Sequence, residues 1–341
     1  MLNVLKNSVV PAIFSRISPA LLLRVAGTNP TIAYYHIVSD QDVPHVKHLY
    51  NFRTTHEFRR DLDVFLKLYR PITLHELLTS VRTRERLPEN AFLLTFDDGF
   101  REMYDVVAPI LVEKGISATF FLTTAFIDNA DMAHHNKVSL LIDHLDRSGE
   151  DAPANEIMLL LEGQGIVVED VKTGLRAINY GRKHLVEEIA KLMGYDFGAY
   201  LKKFKPHLTS EQIRKLLAMG FSIGGHSVDH PAYADLHLEE QLSQTLESVA
   251  AVRSQFGLSY GAFAFPHGAA GVSKKFFAEA FATGEVDVSF GTGGMLKDSS
   301  PRHFERFSCE YDRSPAERTI ARNYARSLFK ALMGAQRVRR D

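Results

Sequence analysis

The chain has 341 residues, 45% of them hydrophobic, which is enough to bury one large core and a smaller appendage. Its 40 Lys and Arg residues balance 41 Asp and Glu residues, so no net positive charge favours nucleic acid as a partner. The only cysteine, Cys309, excludes an intrachain disulfide and a metal site built from thiolates. These numbers predict a globular protein of ordinary size.

Apolar stretches in residues 1–28 are interrupted by Arg16 and Arg24. None approaches the roughly 20 apolar residues of a membrane-spanning helix. A secretory signal would need a longer apolar core and a small-residue cleavage site. We therefore interpret residues 1–30 as an N-terminal amphipathic segment that packs on the domain or on a membrane surface.

An aspartate pair follows the next clear strand. Residues 90–94 form an apolar run that predicts a buried strand, and Asp97 and Asp98 follow it. Gly99 marks a sharp turn, and the apolar spacing over 101–114 predicts a helix. The two carboxylates therefore lie at the carboxyl end of a strand, where parallel α/β folds place ligands. The alternative for an Asp-Asp-Gly turn is an Asx turn or a helix N-cap.

Residues 126–215 are the chief irregularity along the chain. Between the strand predicted over 118–124 and the strand predicted over 221–225, an α/β barrel needs one helix, but this stretch is several times longer. Its apolar spacing predicts several helices. We interpret it as a helical subdomain inserted on the catalytic face, either a lid that selects substrate or a stabilising outer wrap.

Two histidines follow the strand over 221–225. His226 and His230 are four positions apart, and on a helical turn both imidazoles would be within reach of one cation. Together with Asp98 they would form an open three-ligand site, which is typical of catalytic zinc. The alternative is an accidental pair, since the chain has 15 histidines.

A further strand predicted over 261–265 leads into Pro266, His267 and Gly268. The backbone amides of such a turn point away from the strand end, where they can stabilise an oxyanion. A plain loop is the alternative reading.

These segments, in this order, resemble the polysaccharide deacetylases of the NodB-homology type, carbohydrate esterase family 4. Residues 95–99, Thr-Phe-Asp-Asp-Gly, match the first motif of that family, and residues 226–230 match the second, His-Ser/Thr-x-x-His. The resemblance covers about residues 31–310. It implies an α/β fold, a distorted (β/α) barrel of the NodB type with a helical insertion.

The resemblance also assigns roles. It implies that Asp97 is the general base and that Asp98, His226 and His230 hold a divalent metal. Zinc is expected first, with cobalt, nickel or manganese as alternatives. Pro266 and the backbone of His267 match the third motif in its Ala-Tyr-Pro-Tyr-Gly form, here Ala-Phe-Pro-His-Gly.

The chain departs from the family at two points. Ala264 occupies the place of the arginine that steadies the base in many members, and no clear Leu-x-His motif supplies a general acid after residue 291. Arg306 is the candidate to steady the base. His303 and His36 are the candidate acids. For His303 and Arg306 the alternatives are a surface loop and a salt bridge at the barrel end. For His36 the alternative is a structural histidine with its hydrogen bonds made at the barrel mouth.

The last segment is basic. Residues 314–317, Ser-Pro-Ala-Glu, predict a capping box with proline at the first helical position. Arg318, Arg322, Arg326 and Lys330 then recur every four residues. We thus divide the chain into the segment 1–30, a barrel over 31–312 and a basic amphipathic helix over 313–341, which either packs with a solvated face or contacts an anionic membrane or partner.

The resemblance predicts removal of an N-acetyl or related acyl group from an amino sugar in a polysaccharide or glycan precursor. One alternative is a deacylase or deformylase of a lipid-linked sugar at the membrane face. Another is a non-catalytic sugar-binding homologue, which is disfavoured because the base and all three ligands are present. We expect a cytoplasmic protein, with peripheral contact to the inner membrane left open.

Overall fold

The computed structural model describes residues 29–148, 153–310, 313–335 and 337–341, so nearly all of the predicted segment 1–30 lies outside the described residues. One sheet organises the fold. Its strands are β1 Thr31–Tyr35, β2 Arg70–Pro71, β3 Ala91–Phe96, β4 Ala118–Leu122, β5 Ser222–Gly225, β6 Ala262–Ala264, β7 Val288–Gly291, β8 Lys297–Asp298, β9 His303–Glu305, β10 Phe307–Ser308 and β11 Arg337–Val338.

The spatial order of the strands is β10-β1-β3-β4-β5-β6-β7-β9-β8-β11, with β2 beside β3. All neighbouring pairs are parallel except β8 and β9. Only Arg306 separates β9 from β10, yet β9 pairs with β7 and β10 pairs with β1. The segment from β9 to β10 therefore joins the two sides of the sheet and curls the sheet into a barrel. This confirms the predicted distorted α/β barrel.

The strand sequences explain the two layers of the core. Every residue of β3 is buried, as expected of a parallel strand covered on both faces. Its residues alternate between the faces: Phe92 and Leu94 pack with the surrounding helices, whereas Leu93 packs with the strands across the barrel interior. By the same alternation, position 97 points to the interior.

Helices surround the sheet. They are α1 Thr55–Leu68, α2 Leu74–Thr83, α3 Ala108–Lys114, α4 His134–Ser148, α5 Ala154–Gly163, α6 Val171–Arg176, α7 His184–Leu192, α8 Phe197–Phe204, α9 Ser210–Ala218, α10 Leu238–Phe256, α11 Lys274–Ala282 and α12 Ala316–Leu332. Capping boxes formed by Thr54, Thr73 and Thr209 begin α1, α2 and α9. A π-helical turn precedes α3, which ends at Gly115 as predicted.

The insertion has an apolar core of its own. Helices α4 to α8 pack around a cluster that includes Leu141, Ile157, Leu161 and Leu185 and is separate from the barrel clusters. The next helix, α9, belongs instead to the barrel, because its buried Ile213 and Leu216 join the barrel core. The separately packed part is therefore shorter than the predicted stretch 126–215.

The C-terminal helix differs from its prediction. Helix α12 begins after Pro315 without a side-chain cap, so the predicted capping box does not form. It ends at Leu332 and is followed by β11, so the helix is also shorter than 313–341. Its buried Tyr324 packs in the barrel core and hydrogen-bonds the Tyr69 hydroxyl at 3.0 Å, which makes α12 a packed helix of the barrel. Among the described residues, no helix combines the length and the apolar content needed to cross a membrane.

Candidate metal and acid–base site

The aspartate pair lies where β3 gives way to a sharp turn. Asp98 and Gly99 have φ values of 75° and 72°, so two successive residues adopt the left-handed conformation. A Cβ on Gly99 would lie 3.2 Å from the Leu122 side chain, which favours glycine here. The turn brings both Asp97 and Asp98 to the wall of a cavity of about 400 Å³ at the barrel mouth.

Asp98 faces two imidazoles across this cavity. Its Oδ1 lies 3.4 Å from His226 Nε2 and 3.0 Å from His230 Nε2, and all three residues are buried. Nevertheless Asp98 Oδ1 has no hydrogen-bond partner among the described residues. A buried carboxylate oxygen without a hydrogen bond, with two ring nitrogens close to it, is the donor set of a divalent cation. The three residues therefore fit the implied metal.

The histidine segment is not the helical turn that the spacing suggested. Ser227 and His230 have φ values of 65° and 67°, so the backbone turns through two left-handed residues. The Ser227 hydroxyl accepts a hydrogen bond of 2.9 Å from the His230 amide and closes this loop. The expectation of a helical turn is thus wrong, although both Nε2 atoms do reach one point.

A backbone carbonyl group fixes the orientation of the His226 ring. Its Nδ1 lies 2.8 Å from the carbonyl oxygen of Ala264, so Nδ1 carries the proton and Nε2 keeps its lone pair toward Asp98. Ala264 stands where the resembled family usually has an arginine. It serves the site here through its backbone.

Arg306 makes a bidentate ion pair with Asp97. Its Nη1 and Nη2 each donate a hydrogen bond of 2.7 Å to one carboxylate oxygen, and its Nη1 also lies 3.0 Å from Thr95 Oγ1. Both partners of the ion pair are buried. Burial alone would raise the pKa of Asp97, but the charge and hydrogen bonds of Arg306, together with the charges of His226 and His36, outweigh burial and hold the pKa below its usual value. The contact expected of Arg306 is present, and Asp97 is ionised.

His36 pairs with a residue that sequence reasoning missed. Its Nδ1 lies 2.8 Å from Glu310 Oε2, and its backbone amide also donates to that carboxylate. Burial alone would lower the pKa of His36, but the hydrogen bond and charge of Glu310 raise it to about 9. Both residues line the cavity, so His36 is a protonated donor there. A lone Glu just after a short strand carries no sequence signal.

His303 does not reach this cavity, which corrects its candidacy as the acid. Its Nδ1 hydrogen-bonds Ser289 Oγ at 2.8 Å, and its ring packs against Phe277 of α11 at 4.9 Å between centroids. The reason is strand alternation: 303 and 306 are an odd number of residues apart, so they point to opposite faces. Arg306 faces the interior, and His303 faces the helical layer.

The third-motif turn lies beside the histidines. The His267 ring lies 4.8 Å from the His230 ring and lines the cavity, while Pro266 is buried behind it. Gly268 has a φ of 103°, and a Cβ there would come within 2.2 Å of Thr292 Oγ1, so the turn requires glycine. The role of the His267 backbone amide remains a prediction.

Sequence reasoning also missed what the insertion contributes. The His135 ring of α4 lies 4.8 Å from the His230 ring, and Val138, Leu175 and Ile178 form an apolar wall of the same cavity. The adjacent histidines 134 and 135 were a visible signal, but only their position next to His230 gives them meaning. Tyr50, whose hydroxyl donates to Asp98 Oδ2 at 3.3 Å, had no such signal.

A polar contact ties the insertion to the metal loop. Asp229, between the two histidines, accepts hydrogen bonds from the Tyr180 hydroxyl at 2.7 and 2.8 Å and from Gln244 Nε2 at 2.9 Å. Lys183 of the insertion also pairs with this carboxylate. The loop that carries His226 and His230 is therefore held from both the insertion and α10.

The sequence model of one family, described as polysaccharide deacetylase, matches residues 84–284 of the chain. The match covers more than half of the 341 residues and includes both aspartates and both histidines of the proposed metal and base site. No curated protein matches the chain.

Solved structures of similar fold include two deacetylases and the protein IcaB. The Streptococcus pyogenes deacetylase PplD, in complex with acetate, is 15% identical over 84% of this chain and 95% of that one, with a TM-score of 0.53. IcaB from Ammonifex degensii is 17% identical over 88% and 98%, with a TM-score of 0.52. The polysaccharide deacetylase BC0361 of Bacillus cereus is 13% identical over 86% and 68%, with a TM-score of 0.50. At these identities the likeness concerns the fold.

Proposed function

The chain belongs to the polysaccharide deacetylase family, and from that premise we propose that it is a metal-dependent hydrolase that removes an N-acetyl or related acyl group from an amino sugar of a polysaccharide or glycan precursor. One observation carries this proposal. The buried Asp97–Arg306 pair and the set of Asp98, His226 and His230 face the same cavity. A base and a metal set within one pocket are what amide hydrolysis requires.

Arg306 keeps Asp97, the proposed base, ready to accept a proton. The metal, when bound, supplies a Lewis acid and lowers the pKa of a water molecule. Asp97 takes the proton of the attacking water, and the two bonds to Arg306 keep its carboxylate ionised and oriented. Each Asp97 oxygen accepts only one bond from the guanidinium, so each keeps a lone pair for that proton.

Two further groups complete the reaction. The backbone amide of His267, in the turn that requires Gly268, is the proposed donor to the oxyanion. His36, which Glu310 keeps protonated, is the proposed donor of a proton to the leaving amine. The alternative is that Asp97 returns the proton that it took.

We propose zinc as the native metal. Two imidazoles and one carboxylate with an open position are the ligand set of many catalytic zinc sites. Cobalt, nickel and manganese accept the same donors and are the alternatives.

Activity on an acetylated substrate tests the function. The purified chain should release acetate from a chromogenic acetyl ester and from N-acetylglucosamine oligomers. Treatment with a chelator should abolish the release, and zinc should restore it. An intact, metal-loaded protein that releases no acetate from either substrate would favour the non-catalytic sugar-binding homologue.

A lipid-linked sugar is the second candidate substrate. The apolar wall formed by Val138, Leu175 and Ile178 favours it, because a bare sugar offers little apolar surface to such a wall.

The proposed location is the cytoplasm, with reversible contact of α12 to the inner membrane through the exposed Arg318 and Arg326. Cell fractionation tests this location. A salt-extractable membrane fraction would support the lipid-linked substrate, and a processed periplasmic form would refute the location.

A further inference from the structure

A second group of ligand-type side chains adjoins the metal set. One ring nitrogen from each of His135, His230 and His267 lies within 4.8 Å of the other two. We call this group the outer set, and Asp98, His226 and His230 the inner set. Nitrogens that share one tetrahedral zinc are about 3.3 Å apart, given bond lengths near 2.05 Å. Small ring rotations therefore suffice to bring the outer set around one ion.

Two rings of the outer set carry a buried nitrogen without a partner in the described part of the chain. His135 Nδ1 and His230 Nδ1 are buried and have no hydrogen-bond partner among the residues that the structure describes. Buried polar atoms in proteins nearly always have a partner. The His230 residue is only 6% exposed, so water does not readily supply one. Two of the three rings of the outer set therefore carry a buried nitrogen that a bound cation can satisfy.

We propose that the outer set is a second, weaker site for the divalent cation and that it competes with the inner set. The two sets share His230, and a neutral imidazole offers a single lone pair. His230 therefore serves one ion at a time. The inner set holds the cation more tightly because it adds the charge of a carboxylate, and its two ring nitrogens already lie 3.4 and 3.0 Å from Asp98 Oδ1. The outer set has no charged ligand.

The position of the outer set connects this second site with the mouth of the cavity and with the insertion. His267 is exposed, so the outer set lies toward the mouth of the cavity, and His135 belongs to the insertion. A cation held there is separated from the inner carboxylate and is tied to the insertion. The insertion thereby takes part in metal exchange at the site, which goes beyond the proposed hydrolysis.

Variants that remove the inner set expose the outer one. Affinity for Zn²⁺ is measured by competition with a chromophoric chelator, with no substrate present. His226→Ala should bind zinc at least about 100-fold more weakly than the wild type, but measurably. His226→Ala combined with His135→Ala should lose at least about a further tenfold. His230→Ala, which breaks both sets, should be as weak as that double variant.

A matched control uses the neighbouring histidine. His134 precedes His135 on α4 but does not belong to the outer set. His226→Ala combined with His134→Ala should therefore bind zinc as His226→Ala does. Co²⁺ gives a second readout, because its visible absorption reports the number of nitrogen ligands, and the residual band should vanish only with His135→Ala.

Equal zinc affinity of His226→Ala with and without His135→Ala would overturn the proposal, since the residual binding would then be adventitious. If His226→Ala does not fold, as judged by thermal unfolding, the same comparison in Asp98→Ala decides. Failure of the proposed function looks different. It would appear as a metal-loaded wild type that releases no acetate, whereas failure of the outer set appears only in the zinc affinities of the inner-set variants.

Discussion

The barrel and the helical insertion contribute different chemistry to one cavity. The barrel supplies the charged groups that act on an amide, Asp97, Asp98 and Arg306, from strand ends held by a paired, buried sheet. The insertion packs around its own apolar core and supplies an imidazole and an apolar wall. This division suggests that the barrel fixes the reaction and the insertion fixes what enters the cavity.

The largest effect is expected from the metal ligands of the barrel. His226→Ala or His230→Ala should remove most of the bound metal after dialysis, and with it the activity, because each variant leaves the inner set with only two ligands and the outer set binds more weakly. Elemental analysis measures the metal content. Unchanged metal in both variants would refute the assignment.

The two aspartates should fail differently although they are adjacent. Asp97→Asn should keep the metal and lose about 10³-fold in turnover, which is the usual contribution of a general base. Asp98→Asn should lose both, because it removes the ligand charge. Metal content and kcat are measured on both variants. Loss of metal from Asp97→Asn alone would mean that the two roles are reversed.

Arg306→Met should lower turnover by about 10- to 100-fold with the metal retained. Without the guanidinium, less positive charge opposes the effect of burial, so the pKa of Asp97 rises. A base works only when ionised, so activity falls as the pH drops through this pKa. The acid limb of kcat/KM should therefore move to higher pH in the variant. An unmoved limb would contradict the role of Arg306.

Glu310→Gln tests the proposed acid. It removes the charge that raises the pKa of His36 to about 9, and burial then lowers that pKa. An acid works only when protonated, so activity is lost as the pH rises through its pKa. The basic limb of the pH profile should move to lower pH, with a loss of severalfold at pH 8. If the basic limb stays in place, Asp97 returns the proton instead.

The smallest effect is expected from the insertion. Val138→Ala removes two methyl groups from the apolar wall and should raise KM by about threefold, more than it lowers kcat. Leu159→Ala is the matched control. Leu159 lies in the insertion and is 68% exposed, so its replacement should leave both constants unchanged. A loss confined to kcat in Val138→Ala would mean that the insertion acts on the reaction itself.

Much of the barrel and of the candidate site was predictable from local patterns in the sequence. A buried strand followed by Asp97, Asp98 and Gly99 is readable because strand, turn and helix each depend on near neighbours. The ligands His226 and His230 were found in the same way. Their loop conformation was not, because spacing alone does not distinguish a helical turn from two left-handed residues.

Contacts between residues far apart in the chain become visible only in the folded protein. Asp97 and Arg306 are 209 residues apart and His36 and Glu310 are 274 apart, and they pair because the segment from β9 to β10 joins both sides of the sheet. His135 reaches His230 because the insertion folds over the barrel mouth. Composition and periodicity carry no information about such closure, since it depends on how the whole sheet twists and curls.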